Sequence, residues 1–209
     1  MKRDQAESLR LRRRGLNLEY ATIAWNVGEA VITLALGAIA GSIALLGFGA
    51  VSVVEVFASS VVVWHLRRPG GTDLRSTALA LRLIAVAFAG LSLAIFLVAA
   101  NGLASGHRAE DSPVGIAYLA VTALVMFALA AAKRRTAQEL GSGPLASEAT
   151  VTFLDGVLSL STLAGLALNA TLGIWWADPV AGMVVAGFAV NEARETILEA
   201  RAMSADQLS

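Results

Sequence analysis

The sequence contains no cysteine, which excludes disulfides, thiolate-held metals, thioether-linked haem and cysteine nucleophiles. Any cation must therefore be held by carboxylate, imidazole, amide or hydroxyl groups. Charge is scarce as well: 15% of the residues are Asp, Glu, Lys or Arg, against about 25% in ordinary soluble domains. The 16 basic and 16 acidic side chains cancel to a formal net charge of zero, so no global field recruits nucleic acid. Glycines in the 102–106 segment lack a strand-turn-helix context for phosphate binding, and Ser, His and Asp form no nucleophile arrangement. No enzymatic activity and no covalently bound cofactor are expected.

Apolar residues dominate instead. They make up 56% of the 209 residues, with a mean hydropathy of +0.68, more than a water-soluble core can hide. Apolar stretches occur near residues 19–40, 43–66, 75–101, 113–132, 144–172 and 176–200, each long enough to cross a hydrocarbon layer of roughly 30 Å. The basic N-terminus resembles the start of a signal peptide, but its apolar run continues to about Ala40, holds Glu29, and is followed at once by a second run. A retained helix is expected. The predicted molecule is thus an all-α integral membrane protein. A six-helix transmembrane bundle over residues 18–201 is flanked by a basic tail, 1–17, and a short tail, 202–209.

Orientation follows from lysine and arginine, which cytoplasmic loops retain. Gly41-Ser42 and Trp175–Pro179 read as tight connections, and Arg67–Arg75 and Lys133–Gly143 as longer polar loops. Basic residues fall on the N-terminal tail, on Arg67, Arg68 and Arg75, on Lys133, Arg134 and Arg135, and on Arg201, all on one predicted side. The other side holds Arg108 alone. Both termini are expected in the cytoplasm, with Trp175 and Trp176 at the far interface, in the plasma membrane of a prokaryotic cell.

Against this pattern, Glu29, Glu55 and Asp155 fall near the middle of helices 1, 2 and 5. A charged side chain there costs about 2.5–3.5 kcal/mol on insertion scales. Asn26 with Glu29, Ser52 with Glu55, and Glu148 with Thr152 and Asp155 recur at three- and four-residue spacing, so each set forms one polar stripe. No lysine or arginine is expected at their depth, Arg82 being the nearest. The acids then either hold protons and join helices as hydrogen-bonding glue, or hold a cation on a pathway. His65 reads as an interfacial residue, and His107, with Glu110 and Asp111, as part of a solvated loop.

Two stretches carry a resemblance. Trp25-Asn26-x-x-Glu29, Gly41-Ser42-Ile43-Ala44-Leu45-Leu46-Gly47-Phe48-Gly49 and Ser52-x-x-Glu55 resemble the first two helices of the cation diffusion facilitator family. Ala146-Ser147-Glu148-Ala149, Asp155, Leu158-Ser159 and the run Gly173 to Ala181 resemble its helix 5 and the start of helix 6. The likeness spans about residues 18–198. Helices 3 and 4 match only in hydropathy.

The resemblance implies a homodimer in the lipid bilayer that exports a divalent metal, often zinc, in exchange for protons. In the family, helices 2 and 5 each supply two ligands one turn apart; here those positions are Val51 and Glu55, and Val151 and Asp155. Valine offers no donor. Glu29, Asn26, Ser52, Glu148 or water would have to complete a site around Glu55 and Asp155, oxygen-rich and more open to manganese or magnesium. The family's C-terminal cytoplasmic domain is not expected. The function expected is proton-coupled efflux of a zinc-like divalent cation. The alternative is a transport-inactive relative acting as a membrane scaffold or partner subunit. An ion channel fits less well, since no helix reads as a continuous polar pore lining.

Overall fold

Each apolar stretch is a helix in the computed structural model, which describes residues 2–40, 43–68, 73–106 and 113–205. The helices among these residues are α1 (Lys2–Ala40), α2 (Ile43–Arg67), α3 (Leu74–Ser105), α4 (Pro113–Leu140), α5 (Gly143–Leu172) and α6 (Ala177–Ala205). Their boundaries have local causes. The Asp73 side chain accepts from the Arg75 N–H at the start of α3, and the Ser142 hydroxyl accepts from the Leu145 N–H at the start of α5, each satisfying a free first-turn donor. At the end of α5, Gly173 adopts φ 69° and its N–H returns to Asn169 O, a left-handed cap that suits glycine.

Four helices contain stretches long and apolar enough to cross a membrane among the described residues: Leu46–Arg67, Leu74–Ser105, Ile116–Leu140 and Gly143–Asn169. Glu19 and Glu29 interrupt the apolar part of α1, and Glu192, Arg194 and Glu195 that of α6.

Helix pairing is mainly α3 with α6, α1 with α2, and α4 with α5. Close approach explains two glycines. A Cβ at Gly49 would collide with Leu34 and lie 2.9 Å from Thr33 Oγ1, and one at Gly165 would meet the Asp178 backbone at 2.9–3.0 Å; small residues let helix backbones approach in this way. One end of the bundle is fixed by Arg14 with Glu139 at 3.9 Å, Arg67 over the Tyr20 ring and the Arg82 guanidinium donating to Ser204 Oγ. The N-terminal half of α1, the C-terminal ends of α2, α4 and α6, and the starts of α3 and α5 therefore lie together.

The distribution of side chains is that of a protein dissolved in lipid. Val31, Val86 and Leu124 are 64%, 63% and 73% exposed, while Glu19, Glu55, Lys133 and Glu148 are fully buried. In hydrocarbon an apolar surface costs nothing, and every charge must find its partners inside. The protein is an integral membrane protein by this pattern.

Two expectations need correction. The loop predicted over Lys133–Gly143 is only Gly141 and Ser142, because α4 continues to Leu140; the intervening Lys-Arg-Arg-Thr-Ala-Gln-Glu-Leu run is made mostly of good helix formers. Lys133 is therefore not a loop residue, and the expectation that no basic side chain lies near the buried acids fails with it. His65 lies in the last turn of α2 and is 3% exposed. The basic segment at residues 5–14 is helical, the first part of α1. The Gly41-Ser42 link, His107, Arg108, Glu110, Asp111 and residues 206–209 lie outside the described residues.

Candidate cation site

The acids predicted at mid-membrane depth converge. Glu29 on α1, Glu55 on α2 and Asp155 on α5 are 4%, 0% and 2% exposed, and Asp155 is in electrostatic contact with both of the others. The helical stripes produce this. Glu55 shares its face of α2 with Ser52 and Ser59, and Asp155 shares its face of α5 with Glu148, Thr152 and Ser159, all buried.

Several oxygens in this cluster lack a hydrogen-bond partner: both of Glu55, Oδ2 of Asp155, Oε2 of Glu29, Oδ1 of Asn26 and Oγ of Ser159. Buried polar groups in folded proteins are otherwise satisfied, so these oxygens have lone pairs to offer a proton, a water or a cation. Glu29 is partly committed, since the Tyr118 hydroxyl on α4 donates to its Oε1 at 2.6 Å. Ser52 donates to Phe48 O and also faces Glu29. Asn26 donates through Nδ2 to Thr22 O, leaving its carbonyl oxygen free.

Glu148 is held differently. Lys133 Nζ donates to its Oε1 and Oε2 at 2.8 and 2.7 Å and to Thr152 Oγ1 at 3.0 Å. The same ammonium lies 3.3 Å from Oε2 of Glu19 on α1, and Ser59 on α2 donates to Glu148 Oε1 at 2.8 Å. Four helices thus meet at a dry ion-pair network. Glu19, Lys133 and Ser59 were missed as partners from the sequence. Their signal was available in helical spacing: Met126, Ala130, Lys133 and Ala137 are all buried and form one stripe, from which Arg134 and Arg135 point away, exposed.

Thr152 joins the two clusters, because it also faces Glu55. Val51 and Val151, one turn before Glu55 and Asp155, are 2% and 0% exposed and belong to the apolar core. Among the described residues no three His, Cys, Asp or Glu side chains stand close enough to enclose a metal ion by themselves. A cation between Glu55 and Asp155 would draw the rest of its shell from water, amide or hydroxyl oxygens, the donor set of a hard ion.

A helical bundle with an apolar exterior and unpaired acids at its centre defines a polytopic membrane protein with an acidic interior. The family model described as the cation efflux transmembrane domain matches residues 20–203, and the chain belongs to that family, whose members are cation transporters. The resemblance seen in the sequence stands on this match. No curated protein matches the chain.

Proposed function

We propose that this protein exports a divalent cation of the zinc or manganese kind in exchange for protons, with Glu55 and Asp155 as the core of the site and Glu29 beside them. The observation that carries this reading is the set of unpartnered oxygens on Glu55 and Asp155 in a fully buried position. Carboxylates are hard ligands that bind metal only when deprotonated, so cation and proton compete for the same oxygens. All six helices cross the membrane with both termini in the cytoplasm, the molecule works as a homodimer, and it resides in the plasma membrane of a prokaryotic cell.

Binding of Mn2+ or Zn2+ to purified protein in lipid nanodiscs tests the core of this reading. Affinity should fall steadily as pH is lowered from roughly 8 to roughly 5, because protons displace the cation. Binding indifferent to pH over that range would count against carboxylate ligands.

Orientation is tested separately. Labels at residues 70, 138 and 205 should react only from the cytoplasmic side, and labels at 107 and 177 only from outside. The reverse pattern would overturn the direction of transport.

Val51 and Val151 favour a second reading, a transport-inactive partner subunit, since apolar side chains fill two places where the family has ligands. Restoring donors separates the two. Val51→Asp with Val151→His places four donors on two facing stripes, a tetrahedral set suited to zinc. Zinc affinity should rise by more than about tenfold, since even an outer-shell partner is worth roughly 10–100-fold in metal affinity. No gain in a folded double variant would mean that these positions do not face the site.

A further inference from the structure

The charged cluster that the cation site does not use is the network around Lys133. Its nitrogen has four oxygens at 2.7–3.3 Å: Oε1 and Oε2 of Glu148, Oγ1 of Thr152 and Oε2 of Glu19. All three side chains, like Lys133 itself, are fully buried, and they come from α1 and α5 while the ammonium arrives from α4. Such an arrangement of oxygens around one positive centre is what a cation-binding site presents.

Two further observations show that the ammonium does not exhaust the cage. Glu19 is completely buried yet makes no hydrogen bond; its Oε2 meets the ammonium at 3.3 Å, longer than the 2.7 and 2.8 Å contacts of Glu148, so this carboxylate is held only by the looser ion pair. The formal charges are one cation against two carboxylates, Glu19 and Glu148. A single positive charge leaves this dry cluster negative, whereas a divalent ion would balance it.

We propose that Glu19, Glu148 and Thr152 form a second cation site, distinct from the Glu55–Asp155 centre, and that the tethered ammonium of Lys133 occupies it and keeps free divalent ions out. The two centres share α5: Glu148 and Asp155 are seven residues apart in sequence, about 10 Å along a helix, and Thr152 faces both. With three carboxylate oxygens and a hydroxyl, the ligand set favours a hard ion such as Mn2+ over zinc.

The proposal does not depend on whether Glu55 and Asp155 carry a cation, and the test removes them from the result. In the full chain carrying Glu55→Gln and Asp155→Asn, Lys133→Gln is compared with Lys133 by thermal unfolding with and without Mn2+. Mn2+ at roughly a hundred times its dissociation constant should raise the Tm of the Lys133→Gln protein by about 5 °C or more. The Lys133 parent should not respond. If Lys133→Gln does not fold without metal, Mn2+ present during extraction should recover monodisperse protein. A charge-matched Lys133→Gln/Glu19→Gln variant, which keeps the cluster's formal charge, should fold and show a smaller Mn2+ shift because one carboxylate is gone. A Lys133→Gln protein that Mn2+ neither stabilises nor recovers refutes the site, and so does an equal shift in the Lys133 parent.

Discussion

Glu55→Gln and Asp155→Asn should each bring cation flux in proteoliposomes to background. Both changes keep size and hydrogen-bonding capacity and delete only the charge, and both positions are buried with unpartnered oxygens. Loss of a ligand at the centre should exceed the roughly 10–100-fold that loss of an outer-shell partner brings. Folding should survive, because an amide is less costly than a carboxylate to bury. Stability is therefore the internal control: lost flux with unchanged or raised Tm marks a ligand. Unchanged flux with raised Tm would instead show acids that are already protonated and serve as glue between helices, and the transport mechanism would have to be placed elsewhere.

The second large effect concerns the fold. Lys133→Met should destabilise the protein by about 3–5 kcal/mol, the usual consequence of removing one partner from a buried ion pair. The loss leaves Glu19 and Glu148 facing each other with no cation between them. Glu148→Gln should cost less, since Lys133 then keeps one carboxylate, Glu19, at 3.3 Å and the pair is neutral. Unfolding by heat or by a denaturing detergent orders the two variants. Equal stability of Lys133→Met and the unmodified protein would mean that the ion pair contributes nothing to the bundle.

Hydropathy revealed the helices well because lipid leaves so few alternatives for the backbone, and the period of the acidic stripes on α1, α2 and α5 was enough to bring Glu29, Glu55 and Asp155 together. Lys133 was obscured by its neighbours. It stands first in a run of three basic residues of which Arg134 and Arg135 are exposed, and three adjacent cations read as a loop. Only the phase of α4, with Met126, Ala130 and Ala137 buried on the same face, separates Lys133 from them. Glu19 was obscured in the same way, at the border between the basic segment and the apolar run. Glu148 was grouped with Asp155 by spacing, which is correct for the helix face, but spacing does not say which neighbouring helix supplies a partner. The Tyr118 bond to Glu29 was equally invisible, since it depends on the packing of α1 against α4.

The two-residue turn between α4 and α5 has a consequence for how the chain is made. A lone ammonium or carboxylate taken into hydrocarbon opposes insertion, by up to about 2.5–3.5 kcal/mol at the middle of a helix, and Lys133 and Glu148, though nearer the ends of α4 and α5, both lie within those helices. Gly141 and Ser142 are the whole connection between these helices, so the two charges stand 15 residues apart in sequence and each has its counter-ion within the same hairpin. Entering the membrane together as one hairpin, α4 and α5 would carry this pair as a neutral unit. Glu19 on α1 reaches this pair from outside the hairpin.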